Sequence, residues 1–201
     1  MLLISTLLIG CAAQKPLTRE EALKQREILA ATTVRVYSDT SQEEVLKATE
    51  KILLLADGSD FKITHTKNAV IGNRLWSYYF VIGYVIGWDK WLVVAEKNGK
   101  DTTVGIRIYQ DVQGFPMVAR EPSMGGTGAD WSIATLPSIE NTYPGKAIYE
   151  LFFRRLDYFL GKSKKWTNCE SAALLVEEKK IDGDLTPLCD QITIKDDKPE
   201  I

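Results

Sequence analysis

The sequence predicts an α+β fold: a two-layer domain in which an antiparallel meander carries a capped helix and a closing C-terminal helix. Three observations lead there. Ser41-Gln42-Glu43-Glu44 has the form of a capping box, in which a hydroxyl and a carboxylate satisfy two backbone donors that a helix start leaves orphaned. Behind it Val45, Ala48, Ile52, Leu53 and Ala56 recur at helical spacing, which predicts a helix over 42–56. Asn98-Gly99 is a turn signal, and the stretch 102–110 after it alternates, with Val104, Ile106 and Ile108 facing one way and Thr103, Arg107 and Tyr109 the other. A second apolar stripe, Ile148, Leu151, Phe152, Leu156, Phe159 and Leu160, predicts the closing helix over 146–160, ended by Gly161.

The remaining elements follow in chain order. Thr18-Arg19-Glu20-Glu21 begins a helix-compatible stretch that runs to Leu29 behind Pro16, and Ala30-Ala31-Thr32-Thr33-Val34-Arg35-Val36-Tyr37 reads as the strand that opens the domain. After the capped helix, Asp57-Gly58 supplies the glycine that a helix end prefers. Residues 61–66 alternate, placing Phe61, Ile63 and His65 on one side of a strand, and 69–76 and 91–96 are further strands. Between these lies an apolar and aromatic run, 78–88, too short to cross a bilayer as a helix. It reads either as a hairpin with both faces partly buried or as an exposed flap. In the second case Tyr78, Tyr79, Phe80, Tyr84 and Trp88 would contact a partner or lipid headgroups. Gly83 and Gly87 have the spacing of a helix-packing motif, which so short a run gives no use for.

Residues 111–146 are rich in glycine, proline and small polar residues and read as a long loop, of the kind that is functional or partly disordered. Met124-Gly125-Gly126-Thr127-Gly128 lacks the flanking pattern of a nucleotide fingerprint. Beyond Trp166 a helix is expected over 170–180, after which Gly183 and Pro187 turn the chain back to Cys189.

Composition narrows the function classes. The chain has 201 residues with a net charge of −2, so no global field draws it to nucleic acid. The cluster Lys162-Ser163-Lys164-Lys165-Trp166 is too small for a groove and reads as a linker, while Arg154 and Arg155 read as a solvated helix edge. Acidic residues collect after Cys169, which reads as a solvated tail. His65 is the only histidine and reads as a half-buried packing residue, so nucleophilic schemes that need a histidine base have little support. No zinc, calcium or haem motif is present, and no cofactor is expected. Asp89, Asp111, Asp130 and Glu140 flank turns or the long loop and are the carboxylates a hydrolase would have to use.

The N-terminal segment gives the sharpest indication. Leu8-Ile9-Gly10-Cys11, at the end of a short apolar run, resembles the lipobox of bacterial lipoproteins. The match departs from the usual pattern in lacking a Lys or Arg between Met1 and the apolar run. The resemblance implies a signal peptide over 1–10, cleavage before Cys11, and acylation of that cysteine. It thereby implies a lipidated tether over 11–29, the α+β domain over 30–161, and an extension over 162–201. Ala12-Ala13 lacks the aspartate that retains such proteins at the inner membrane, which implies an outer-membrane site facing the periplasm.

Export would leave Cys169 and Cys189 as a pair able to form a disulfide; in the cytosol the two would be free buried thiols. A bridge there would close a loop of about 20 residues, worth roughly 3 kcal/mol in the chain-entropy model. The order strand, capped helix, strand from Thr33 to Thr64 also resembles the helix-on-sheet domains of the lipoprotein subunits of the outer-membrane β-barrel assembly machinery. The resulting expectation is a non-enzymatic accessory or scaffold component of an envelope complex that binds another envelope protein through 78–88 or the long loop. The competing expectation is an envelope hydrolase or ligand-binding lipoprotein that uses carboxylates near 111–146.

Overall fold

A computed structural model describes residues 18–56, 61–80, 83–120, 130–133, 139–142, 145–189 and 199, with side chains described except at 78–80, 83–84, 112–120, 130–133 and 139–142. The lipobox with Cys11, the Asp57-Gly58 stop and most of the acidic tail lie outside these residues. The elements are α1 (Arg19–Thr33), β1 (Val34–Tyr37), α2 (Gln42–Leu54), β2 (Lys62–His65), β3 (Ala69–Phe80), β4 (Gly83–Asn98), β5 (Asp101–Arg120), β6 (Asp130–Ile133), β7 (Ile139–Thr142), α3 (Ala147–Phe159) and α4 (Cys169–Glu177). The fold is α+β with an antiparallel sheet. Strands run in the order β1-β5-β4-β3-β2, and β6 and β7 both pair with β5.

The local signals act as their chemistry requires. Ser41 Oγ accepts from the backbone N–H of Glu44 while the Glu44 carboxylate takes the N–H of Ser41, so the box that starts α2 is closed in both directions. Thr18 and Glu21 close a second box at the head of α1. Val45, Ile52 and Leu53 of α2 are fully buried, and so are Val104 and Ile108 of β5 and Ile148, Phe152, Phe153 and Leu156 of α3. These residues form one hydrophobic cluster centred on Trp91, which meets Phe61 edge-on at 6.3 Å and Phe152 at 5.6 Å between ring centroids. Arg35 ties the edge strand to α3 through Glu150 and Asp157, with its guanidinium 4.4 Å over the Phe153 ring.

Three sequence expectations are corrected here. Residues 30–33 are the last turn of α1, not the start of a strand. Thr32 and Thr33 donate their hydroxyls to the carbonyls of Ile28 and Leu29, four residues back, as threonine does when it sits inside a helix. His65 stands on the exposed end of β2, its side chain 48% accessible and its Nε2 3.4 Å from Glu50, instead of packing beside Phe61. Residues 112–120 continue β5, where a loop was expected. Pro116 is the register partner of Gly83 on β4 and falls between Val112, paired with β7, and Met117, paired with β6.

Residues 162–189 share the domain's core instead of trailing from it: Leu185 and Leu188 belong to the hydrophobic cluster. The carbonyl of Asp182 accepts from the N–H groups of Lys146 (2.7 Å) and Ala147 (2.9 Å), and so caps the start of α3, where Lys146 offers no side-chain cap. Gly145 and Gly183 bridge there, both with positive φ, so close that a Cβ on Gly145 would sit 2.2 Å from the other Cα.

Two buried phenols set an alkaline limit. Burial, with the Asp157 charge adding to it, pushes Tyr37 far above the usual phenol value, and burial also pushes Tyr149 up. The folded state therefore favours the neutral phenol. Its contribution is complete below the unfolded value near 10 and is lost as pH rises above it. Tyr37, the more strongly shifted of the two, should cost about 1.4 kcal/mol of stability per pH unit in that range. Urea unfolding of Tyr37→Phe above roughly pH 10 should show a slope shallower by one such increment, and an unchanged slope would contradict the assignment.

Candidate functional site

The features that stand apart from the core lie at two places: the distal sheet and the C-terminal clasp. Strands β3, β4 and β5 are 12, 16 and 20 residues long, and among the residues whose side chains are described the hydrophobic cluster draws Val70 from β3, Trp91, Val93 and Ala95 from β4, and Val104, Ile106 and Ile108 from β5. The ladder continues past these residues to Phe80 opposite Gly83 and, on the other side, Gly83 opposite Pro116. Residues 112–120 alone, at roughly 3.3 Å each, amount to roughly 30 Å of strand.

Within the run 78–88, residues 78–80 thus end β3 and 83–88 begin β4, its antiparallel partner. Val85 is buried outside the main cluster, and Ile86 and Trp88 are half-buried, while Leu75, opposite Trp88, is 54% exposed. The side chains of Tyr78, Tyr79, Phe80 and Tyr84, proposed as contacts, lie outside the described residues. Gly87 is required by packing, because the Trp76 indole passes 2.1 Å from where its Cβ would be.

A buried charge cluster marks the root of this arm. Arg74 and Asp89 are register partners on the helix-facing side of the sheet, 2% and 1% accessible, with Arg74 Nη2 2.9 Å from Asp89 Oδ2. The other carboxylate oxygen accepts from Trp76 Nε1 at 3.2 Å and from Gln110 Nε2 at 3.4 Å. Arg74 also donates to the carbonyl of Thr186 at 3.2 Å and lies 5.1 Å over the Phe61 ring, which joins the sheet to the clasp. Burial raises the Asp89 carboxyl above its ordinary value, an effect that Arg74, Trp76 and Gln110 offset only in part. This carboxylate is enclosed by its own donors, so it has no reach toward a substrate.

The other candidate carboxylates are arranged differently. Asp111 follows Gln110, the register partner of Asp89, and therefore projects from the opposite face, where Lys90 Nζ is 3.5 Å away. Register sets Asp111 opposite Glu140 and Asp130 opposite Arg120, with the side chains of Asp130 and Glu140 outside the described residues. A cleft of about 640 Å³ opens between α1 and this second face, lined by Leu29, Val34, Leu92 and Val94 with Arg26 and Arg107 at its polar margin. Glu96 is the only carboxylate among its lining residues. Among the described residues no group of three His, Cys, Asp or Glu is placed to hold a metal ion, and no helix is long and apolar enough to cross a membrane.

No protein family, curated protein or solved structure matches this chain.

The C-terminal clasp holds the second group of predicted residues. Cys169 and Cys189 form a disulfide with their Cα atoms 5.6 Å apart. Arg155, expected on a solvated edge, is instead fully buried. It donates Nε to the carbonyl of Thr167 (3.2 Å) and Nη2 to Cys169 Sγ (3.3 Å), and stacks 4.8 Å from the Trp166 ring. The helix period could not reveal this, because residues 162–169 fold back over α3 and enclose a side chain that the helix alone would expose. Its neighbour Arg154 does behave as an edge residue, paired with Glu150 at 2.8 Å.

Proposed function

We propose that this chain is a lipid-anchored accessory protein of a bacterial envelope, held at the outer membrane through acylated Cys11 and acting in the periplasm by contact with another envelope protein. The observation that carries the contact part is the length of β3, β4 and β5 beyond the hydrophobic cluster. An apolar strand face open to water favours being covered, and Leu75, opposite Trp88, is 54% exposed. Its apolar and aromatic content, from Leu75 through Trp88, suits a protein surface. The lipobox supports the anchor, and the Cys169–Cys189 bridge is consistent with an oxidising compartment. In this reading α1, none of whose residues is buried, serves as part of the connection between lipid and domain.

Affinity capture from detergent-solubilised envelope tests the contact. Replacing 78–88 by a polar strand sequence of equal length should remove a specific captured protein while circular dichroism stays that of the native fold. Capture of the same protein by both forms would refute the proposed region.

The alternative, an envelope hydrolase or ligand-binding lipoprotein, draws on two observations: the cleft under α1 and the register of Asp111 with Glu140. The cleft favours ligand binding over hydrolysis, since its lining is apolar with two arginines and one carboxylate.

A further inference from the structure

The two sulfurs of the Cys169–Cys189 bridge have unequal surroundings. Cys169 is the first residue of α4, whose N-cap Asn168 accepts the N–H of Ser171 at 2.9 Å, so its sulfur lies at the positive end of a helix. Arg155 reaches the same sulfur from α3, with Nη2 at 3.3 Å. Because Arg155 is fully buried, salt and water screen its charge little. Cys189 is half-buried and ends a turn, its N–H donating to the carbonyl of Leu185 at 2.9 Å. Among the described residues no hydrogen-bond donor reaches its sulfur.

A cation and a helix N-terminus both stabilise a thiolate. In thiol–disulfide exchange, the bond breaks more readily when the departing sulfur makes the more stable thiolate. The asymmetry therefore sets a direction.

We propose that Cys169–Cys189 is an exchange-active disulfide, in which the thiolate of an incoming protein dithiol attacks Cys189 and expels Cys169 as a thiolate held by Arg155. A bond forms between the donor's sulfur and Cys189 Sγ as the Cys169–Cys189 bond breaks, and the electron pair leaves on Cys169 Sγ. The donor's second thiol loses its proton and attacks its own first sulfur, which releases Cys189 as a thiolate that takes up a proton. Two electrons pass to the protein, and the donor leaves as a disulfide.

The clasp gives this exchange a structural consequence. Leu185 and Leu188 pack into the core, and Thr186 accepts from Arg74 at the root of the sheet extension. Reduction removes the one covalent tie between residues 185–189 and α4, so the redox state of the bridge reaches a segment that bonds to Arg74 at the base of the arm. The proposal is independent of the lipid anchor and of the partner contact.

The test begins with regioselectivity. The folded full chain is exposed briefly to reduced glutathione, quenched in acid, digested and mapped by tandem mass spectrometry. The early adduct should sit on Cys189 in several-fold excess over Cys169; an equal or reversed ratio overturns the proposal. In Cys189→Ser protein, the pH dependence of Cys169 alkylation, read on its own peptide, should have a midpoint below the ordinary thiol value of about 8.5. Arg155→Gln should raise that midpoint and Arg155→Lys should keep part of the shift. A midpoint at the ordinary value in the Arg155-containing protein also overturns the proposal, whether or not the Arg155 variants fold. So does a bridge that a dithiol oxidoreductase reduces only once the protein is unfolded.

Discussion

Asp89→Ala is expected to destabilise the fold by about 3–5 kcal/mol, because it breaks a fully buried ion pair from one side. Arg74 is 2% accessible, so it has no route to water short of moving the strand. The same substitution removes the acceptor of Trp76 Nε1 and Gln110 Nε2. Removing both charges is a different experiment. Arg74→Met with Asp89→Leu replaces a desolvated pair by apolar volume, and such replacements are often neutral or stabilising by about 1–4 kcal/mol. Urea unfolding of the two singles and the double closes the cycle. A double variant as unstable as the sum of the singles would show that the cluster holds the sheet through something other than charge pairing. Amide exchange adds a spatial readout: Asp89→Ala should weaken protection in the distal halves of β3, β4 and β5 more than in β1.

Trp91→Ala should cost a comparable amount, about 3–5 kcal/mol, through lost transfer energy and the cavity left behind. Trp91 is fully buried between Phe61 and Phe152 and is the largest side chain in the cluster. Its indole Nε1 has no hydrogen-bond partner among the described residues. Trp91→Phe gives up less volume and also removes that buried donor, so its cost should be well below that of alanine. Equal losses for the two variants, measured by chemical denaturation, would contradict a packing role.

The same pair of examples shows what the sequence could and could not disclose. Short-range signals carried far: the capping box, the apolar stripes of α2 and α3, the Asn98-Gly99 turn and the alternation of β5 each depend on residues within a few positions of one another. The Arg74/Asp89 pair was less visible, although a trace was present. Each charge sits on the apolar phase of its own strand, Arg74 with Val70 and Asp89 with Trp91 and Val93, which is where a cross-strand ion pair is needed. Asp89 was instead grouped with possible catalytic carboxylates, because burial cannot be read from spacing. Arg155 carried no local sign at all, since the chain that covers it arrives from residues 166–169.

The strand lengths were hidden for a related reason. Glycine and proline in 111–120 signalled a loop, and it is long-range pairing with β4 that makes this stretch strand. The α1 boundary failed in the opposite direction: Thr32 and Thr33, whose local preference is strand, form the last turn of a helix and bond back to Ile28 and Leu29.

The functional account stands or falls on the anchor, and intact-mass and peptide mass spectrometry of chain isolated from its membrane fraction tests it most directly. The account predicts a mature protein that begins at Cys11 and carries fatty acid on that residue. Chain that retains residues 1–10, carries no acyl group and is recovered from the soluble fraction would contradict it.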